Sequence, residues 1–185
     1  LNFTAVKNKK ILVSIATYKE AENLEILVNE INQFSNFSKI LIINDSSNDG
    51  TKELISRLNK NNENVVLIER GKKLGLGTAH KLCLLYAIKF NYDFLVTMDG
   101  DLSHEPSSIP SLLSKAGDEN FVIGSRFCEG GVCDYTGGRK IISLMGNYVT
   151  RKLLNLDLFE ITTYFRVYSV KLLKKLPYNE LNADG

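Results

Sequence analysis

Residues 93–106 read DFLVTMDGDLSHEP. Residues 93–98 (DFLVTM) read as a strand buried on both faces, apolar from Phe94 to Met98 but for Thr97. The run ends on Asp99-Gly100-Asp101. In extended backbone, residues i and i+2 point to the same side, so both carboxylates face one point in space. Gly100 between them lets a ligand come close to the backbone. Two like charges held together need a cation, and hard oxygen ligands select Mg2+ or Mn2+. Taken in isolation, such a tripeptide is more often a solvated turn. Its position at the end of a buried strand favours a functional reading.

The same alternation extends in both directions. Residues 10–16 (KILVSIA), 39–43 (KILII), 65–68 (VVLI) and 121–124 (FVIG) read as further buried strands. Between them, apolar residues recur at helical spacing. Ala21, Leu24, Leu27, Val28, Ile31 and Phe34 form one such face, and Leu54, Ile55 and Leu58 a second, with Asp49 placed to cap that helix. Ala79, Leu82, Cys83, Tyr86, Ala87 and Phe90 form a third. A later helix over about 141–154 carries Ile141, Leu144, Met145, Tyr148 and Val149 on one side. Continuous apolar strands alternating with amphipathic helices predict an α/β fold, a mostly parallel sheet with helices on both faces. Right-handed crossovers bring the strand C-terminal ends to one edge, where ligands of such folds bind. The segments at that edge are Thr17-Tyr18-Lys19-Glu20, Asn44-Asp45-Ser46, Arg70 to Gly77, Asp99-Gly100-Asp101 and Ser125-Arg126, the most polar parts of the chain.

The 185 residues suit one domain, 1–185, large enough to bury a core. The chain opens on Leu1 and stops at Gly185 soon after a helix-like stretch, which suggests a fragment of a longer protein. With 23 basic and 21 acidic side chains the net charge is only +2, no electrostatic footprint for nucleic acid. No apolar run approaches the ~20 residues of a membrane span. Cys83, Cys128 and Cys133 leave one thiol unpaired in any scheme, which favours a reducing, cytoplasmic compartment over a disulfide framework. No C-x-x-C spacing points to zinc.

Other residues carry weaker signals. Asp45 could accept a hydrogen bond from a nucleobase N–H or a ribose hydroxyl, or simply close an Asx turn. Arg126 and Arg139 flank a glycine-containing loop and suit phosphate, although each alone is more often a surface or ion-pair residue. His104 lies three residues past Asp101 and could line the same pocket; His80 reads as structural. Gly71-Lys72-Lys73 reads equally as a flexible turn. No Ser-His-Asp pattern, nucleophile elbow, P-loop or G-x-G-x-x-G is present.

Together the strand-end segments resemble the family 2 glycosyltransferases of the GT-A fold, Rossmann-like in layout, and within them the dolichol- or polyprenyl-phosphate mannosyltransferase-like branch. The resemblance runs from residue 11 to about residue 170. It rests on ATYKEAENL (16–24), INDSSNDGT (43–51), Gly75 to Ala79, MDGDLSHEP (98–106) and GSRFCEGG (124–131), in that order. It implies a nucleotide-sugar donor, GDP-mannose or a UDP-hexose, and a divalent metal, Mg2+ or Mn2+, on the diphosphate. Ala16, Tyr18, Glu20, Asn44, Asp45, Gly75 and Gly100 would form the donor site. Asp99 and Asp101 would hold the metal, with Ser103 as a further ligand position. Arg126, Arg139, Ser143 and Arg166 would meet phosphate, the donor's or that of a lipid-phosphate acceptor. The reaction implied is inverting sugar transfer, with Asp99, Asp101 and Arg126 at its centre, and a polyprenyl or dolichyl phosphate as acceptor at the cytosolic face of a membrane.

Several positions depart from the family pattern. Ala16 replaces Pro, Lys19 replaces Asn, Asn44 replaces Asp, Ser103 stands where some members have Gln, and Glu160 where Asp is frequent. A hydroxyl acceptor would need a carboxylate base, for which Asp157 and Glu160 are the candidates. The Q-x-x-R-W signature of processive synthases is absent and the chain has no Trp. Two alternatives remain at this level: a sugar nucleotidyltransferase, which would carry a glycine-rich basic loop after the first strand, and a non-catalytic nucleotide-sugar-binding domain.

Overall fold

The computed structural model describes residues 8–34, 38–45, 48–60, 64–126, 138–155, 158 and 160–177; for 138–144 and 154 it describes the backbone alone. Cys128, Cys133, Asp157 and the side chains of Arg139 and Ser143 lie outside the described residues.

Six strands form one sheet: β1 (Ile11–Thr17), β2 (Lys39–Asn44), β3 (Val65–Glu69), β4 (Phe94–Asp99), β5 (Phe121–Ile123) and β6 (Arg166–Ser169). Their order across the sheet is β3-β2-β1-β4-β6-β5. The pairs β1/β2, β1/β4 and β2/β3 are parallel, whereas β6 runs antiparallel to both β4 and β5. The five strands expected from sequence are therefore present within a residue or two. The sixth, β6, is an addition, wedged between β4 and β5. Because β6 runs backwards, its first residue, Arg166, lies at the same edge as the C-terminal ends of the other strands, paired in register with Thr97 and Ile123.

Alternation along the strands explains the two buried faces. Ile11, Val13, Ile15, Ile40, Ile42, Val96 and Met98 pack under α1 (Ala21–Gln33), α2 (Thr51–Asn59) and α4 (Ile109–Lys115). Leu12, Leu41, Ile43 and Leu95 pack under α3 (Leu76–Lys89) and α6 (Val170–Leu173). Full burial of each such side chain stabilises the fold by about 1.5–3 kcal/mol. On α1 the inner face is Leu24, Leu27, Val28 and Ile31, as the spacing predicts. On α3 the prediction is partly corrected: Leu84 is buried, and Phe90, just past the helix end, is exposed. Asp49 does cap, although the residue that starts α2 is Gly50 in the left-handed region. The Asp49 carboxylate accepts from Thr51 N–H at 3.3 Å and from the Thr51 hydroxyl at 2.8 Å, and its other oxygen accepts from Ala21 N–H at 3.2 Å. One side chain thus satisfies donors at the starts of two helices.

The last long helix is α5 (Gly138–Leu154). Among its described side chains the buried one is polar: Asn147 Oδ1 accepts from Ile161 N–H at 2.9 Å. Met145, Tyr148 and Val149, grouped on one side by their spacing, face outward.

Candidate active site

The C-terminal ends of β1, β2 and β4 enclose an open cavity of about 330 Å3 lined by Ala16, Thr17, Tyr18, Glu20, Asp45, Arg70, Lys73, Gly75, Leu76, Ala79, Asp99, Gly100 and Asp101. The cavity brings together Ala16, Tyr18, Glu20, Asp45, Gly75, Asp99, Gly100 and Asp101 from the sequence-derived set. Parallel pairing explains the convergence. Ala16 is in register with Asp99 and Thr17 with Asn44, so three strand ends finish level.

Asp99, Asp101 and Glu20 form an acidic cluster. Burial, then the charges of Asp101 and Glu20, push the Asp99 carboxyl up to about 6, against some relief from Arg126. Burial also raises Glu20, opposed by the bond its carboxylate accepts from the Thr17 hydroxyl at 3.1 Å. Burial acts on Asp101 too, but its bonds from Ser103 outweigh it and hold this carboxyl below the usual range. Ser103 N–H donates to Asp101 Oδ1 at 2.9 Å, so Ser103 is tied to the carboxylate. Gly100 has a steric reason here: a Cβ would lie 2.6 Å from Glu20 Oε2 and 3.3 Å from the Ala16 carbonyl oxygen.

Two acidic ligands on one turn, made of hard oxygens and repelling each other, fit a small divalent cation that takes its remaining ligands from substrate phosphate and water. Among the described residues no group of three or more His, Cys, Asp or Glu side chains is placed to hold a metal ion by itself. The donor set suits an open Mg2+ or Mn2+ site and leaves the choice between them open.

His104 supports this turn from below. Its Nδ1 accepts from the Asp99 backbone N–H at 3.1 Å, and its ring stacks on Phe165 at 5.0 Å. Accepting at Nδ1 leaves the proton on Nε2, which lies 3.4 Å from the Thr163 hydroxyl. Burial lowers the His104 pKa to about 4, so the ring is neutral and does not compensate the carboxylates. His104 does not line the cavity; it links the carboxylate turn to the segment before β6. His80, read as structural, sits edge-on against Tyr164 with centroids 5.0 Å apart, and burial lowers its pKa to about 4 as well.

Five lining residues were not among the site residues named from sequence, Thr17, Arg70, Lys73, Leu76 and Ala79, and two of them carry charge. Arg70 pairs with Asp45, both side chains nearly buried. It also donates to the Gly75 carbonyl at 3.0 Å, while Asp45 Oδ2 accepts from Leu74 N–H and Gly75 N–H, each at 3.0 Å. The pair fixes the 70–75 loop over the cavity, and Gly75, at φ 83, supplies the backbone reversal that starts α3. Most of the acceptor capacity of Asp45 is already used. Lys73 lies over the Tyr18 ring, 4.3 Å from its centroid, so the Gly71-Lys72-Lys73 segment contributes to the cavity wall. The available signal was an arginine and a lysine directly after a buried strand.

Asn44, Arg126 and Arg166 do not line this cavity. Asn44 is fully buried at the end of β2. Arg126 is clamped by Glu160, whose carboxylate is entirely buried: Arg126 N–H donates at 2.9 Å, Nε at 3.2 Å, and Nη2 also bonds. Arg166 donates to the Thr163 carbonyl at 2.8 Å, the Ile161 carbonyl at 2.6 Å and the Tyr168 hydroxyl at 3.3 Å, which holds the turn before β6. It lines a second, smaller cavity of about 220 Å3 with Leu76, Gly77, His80, Thr162, Thr163 and Tyr164.

Comparison with known proteins agrees with this geometry. Residues 12–177 match the family described as Glycosyl transferase family 2. The chain is 32% identical over 177 residues to the undecaprenyl-phosphate mannosyltransferase of Micrococcus luteus, covering 95% of this chain and 73% of that protein. It is 31% identical to the polyprenol monophosphomannose synthase of Mycolicibacterium smegmatis, covering 98% of this chain and 70% of that one. Among solved structures, glucosyl-3-phosphoglycerate synthase from Mycobacterium tuberculosis, in complex with Mn2+, UDP and phosphoglyceric acid, superposes with a TM-score of 0.70 at 17% identity, over 95% of this chain and 61% of that one. The mannosyltransferase PcManGT from Pyrobaculum calidifontis, in complex with GDP-Man and Mn2+, superposes with a TM-score of 0.52 at 18% identity, over 63% of this chain and 35% of that one. These two likenesses show a shared GT-A fold. The nucleotidyltransferase and non-catalytic readings give way to the family match: the chain belongs to glycosyl transferase family 2 and is a glycosyltransferase of the polyprenyl-phosphate mannosyltransferase-like branch.

Proposed function

We propose that this glycosyltransferase moves mannose from GDP-mannose to a polyprenyl phosphate, with inversion at the anomeric carbon. The observation that carries this reading is the acidic cluster of Asp99, Asp101 and Glu20 on the cavity floor, whose crowded negative charge, relieved only in part by Arg126, favours a cation. The name and coverage of the two bacterial relatives support the mannosyl and polyprenyl assignments.

Tyr18, with Lys73 above its ring, and Glu20 form the wall for the nucleoside, and Asp45, Gly75 and Gly100 its rim. Asp99 and Asp101 would hold Mg2+ or Mn2+, which when bound neutralises charge on the leaving nucleoside diphosphate. An oxygen of the acceptor phosphate forms the new bond to the anomeric carbon while the bond to the diphosphate breaks, and the electron pair leaves with the diphosphate. A phosphate acceptor is already ionised at neutral pH and needs positioning rather than a base. This agrees with Glu160, whose carboxylate is occupied by Arg126 and is not free to take a proton from a hydroxyl. Arg126 and Arg139, with Ser143, are assigned to phosphate.

The test is transfer of labelled mannose from GDP-mannose to undecaprenyl phosphate in detergent with Mn2+, beside UDP-glucose as donor and a sugar alcohol as acceptor. Label is expected in the lipid from GDP-mannose alone. Transfer only from UDP-glucose, or only to the hydroxyl acceptor, would overturn the assignment.

A further inference from the structure

The turn that carries Asp99 and Asp101 does not hold its shape through its own packing. After Asp101 the chain passes through Leu102 at φ 64, in the left-handed region. A leucine there is strained, because its Cβ crowds the backbone, and such a conformation persists only where the surroundings over-determine it. The Leu102 side chain is no anchor, since it is exposed. Two hydrogen bonds close the turn instead. Ser103 N–H donates to Asp101 Oδ1 at 2.9 Å, a local and exposed bond. Asp99 N–H donates across the whole turn to His104 Nδ1 at 3.1 Å. The imidazole side chain is only 11% exposed, so water competes poorly for this second bond.

The ring is braced from its far side. A backbone N–H can only donate, so Nδ1 is the acceptor and the ring proton of the neutral imidazole sits on Nε2. Nε2 faces the Thr163 hydroxyl at 3.4 Å, and the Phe165 ring lies nearly parallel to the imidazole, at 15° with centroids 5.0 Å apart. Thr163 and Phe165 are both buried. Their segment is tied to β4 by the Thr97 hydroxyl, which donates to the Tyr164 carbonyl at 2.6 Å, and to Arg166, whose Nε donates to the Thr163 carbonyl at 2.8 Å. The acceptor atom of His104 is therefore fixed from behind and aimed at the backbone of the first carboxylate residue.

We propose that His104 is a positioning residue for the two carboxylates: by accepting from Asp99 N–H it holds the strained turn in the form that directs Asp99 and Asp101 at one cation. The role belongs to an acceptor atom and needs no charge on the ring. The proposal deepens the metal reading of Asp99 and Asp101 and rests on it.

The experiment compares wild type, His104→Asn and His104→Leu. Asparagine offers an amide oxygen in place of Nδ1, whereas leucine fills similar volume without an acceptor. GDP binding is measured by calorimetry over a series of Mn2+ concentrations, which reads the metal site without turnover, and thermal unfolding is measured beside it. His104→Leu should need about tenfold or more Mn2+ for half-maximal GDP binding, the loss typical of an outer-shell partner, and His104→Asn should restore most of it. A leucine variant that melts lower but keeps the wild-type Mn2+ requirement overturns the proposal, because His104 then only supports the fold. So does an asparagine variant as impaired in Mn2+ use as the leucine one. A second measurement does not depend on the variants folding well. Ring 15N NMR of the wild type, which has only two histidines, should show for His104 a bare Nδ1 and a protonated Nε2 at neutral pH. A proton on Nδ1 overturns the proposal whatever the metal does. GDP binding to the wild type that ignores Mn2+, with the expected tautomer in place, would instead overturn the metal reading, and the proposal falls with it.

Discussion

The two ends of the functional edge handle charge in opposite ways. At the β1–β4 end, Asp99, Asp101 and Glu20 repel one another, and the nearest imidazole, His104, is neutral. At the β5–β6 end, Arg126 is paired with a buried Glu160, and Arg166 donates to backbone carbonyls. The first region stores unfavourable electrostatics that a cation would relieve; in the second the arginines already have partners. A carboxylate cluster crowded together at a cost to the fold is a place where a ligand can supply the balancing charge. A paired cluster marks a support, or a group that must exchange partners before it can bind phosphate.

The contrast is open to attack by substitution. The largest effect is expected for Asp101→Asn, which removes one of the two carboxylates proposed to hold the metal; initial rates of transfer at saturating Mn2+ should fall by about 10²–10³-fold, the loss typical of removing one group that stabilises transition-state charge. On the paired side, Glu160→Ala leaves Arg126 without its carboxylate, and breaking such a pair should cost about 2–4 kcal/mol in urea unfolding, moderated because Arg126 can reach water.

Asp99→Asn should do the reverse to stability. Its carboxyl has a folded pKa of about 6, above the ordinary 3.8, so ionising it opposes folding. That penalty is absent below about pH 4 and complete above about pH 6. The metal-free variant should therefore melt higher than wild type at pH 7.5, and the difference should vanish toward pH 4, while transfer is lost. A variant that melts lower at pH 7.5 would contradict the electrostatic account. The smallest effect is expected for Lys73→Ala, which removes the cation over Tyr18, worth about 0.5–1 kcal/mol. A two- to fivefold rise in donor KM with kcat unchanged would match that magnitude.

What could be read from the sequence divides along the same line. The parallel strands and their carboxylate ends were legible because each is a local signal, an apolar run followed by a polar turn. Strand β6 was not: four residues, RVYS, carry too little pattern, and their pairing depends on β4 some seventy residues earlier in the chain. The Arg70–Asp45 and Arg126–Glu160 pairs were hidden for a related reason, since each joins different strand ends and neither partner betrays the other in sequence. Periodicity grouped Met145, Tyr148 and Val149 correctly, but it reports that a face exists and not which way it points. Burial of Asn147, fixed by its bond to Ile161, decides the direction.

The most direct test of the central claim is calorimetric titration of GDP-mannose into the protein with Mn2+ and with EDTA, for wild type and Asp101→Asn. Donor binding to the wild type that requires Mn2+, and that Asp101→Asn abolishes, is the predicted result. Equal donor affinity in EDTA, or in the variant, would contradict a metal–diphosphate site at Asp99 and Asp101.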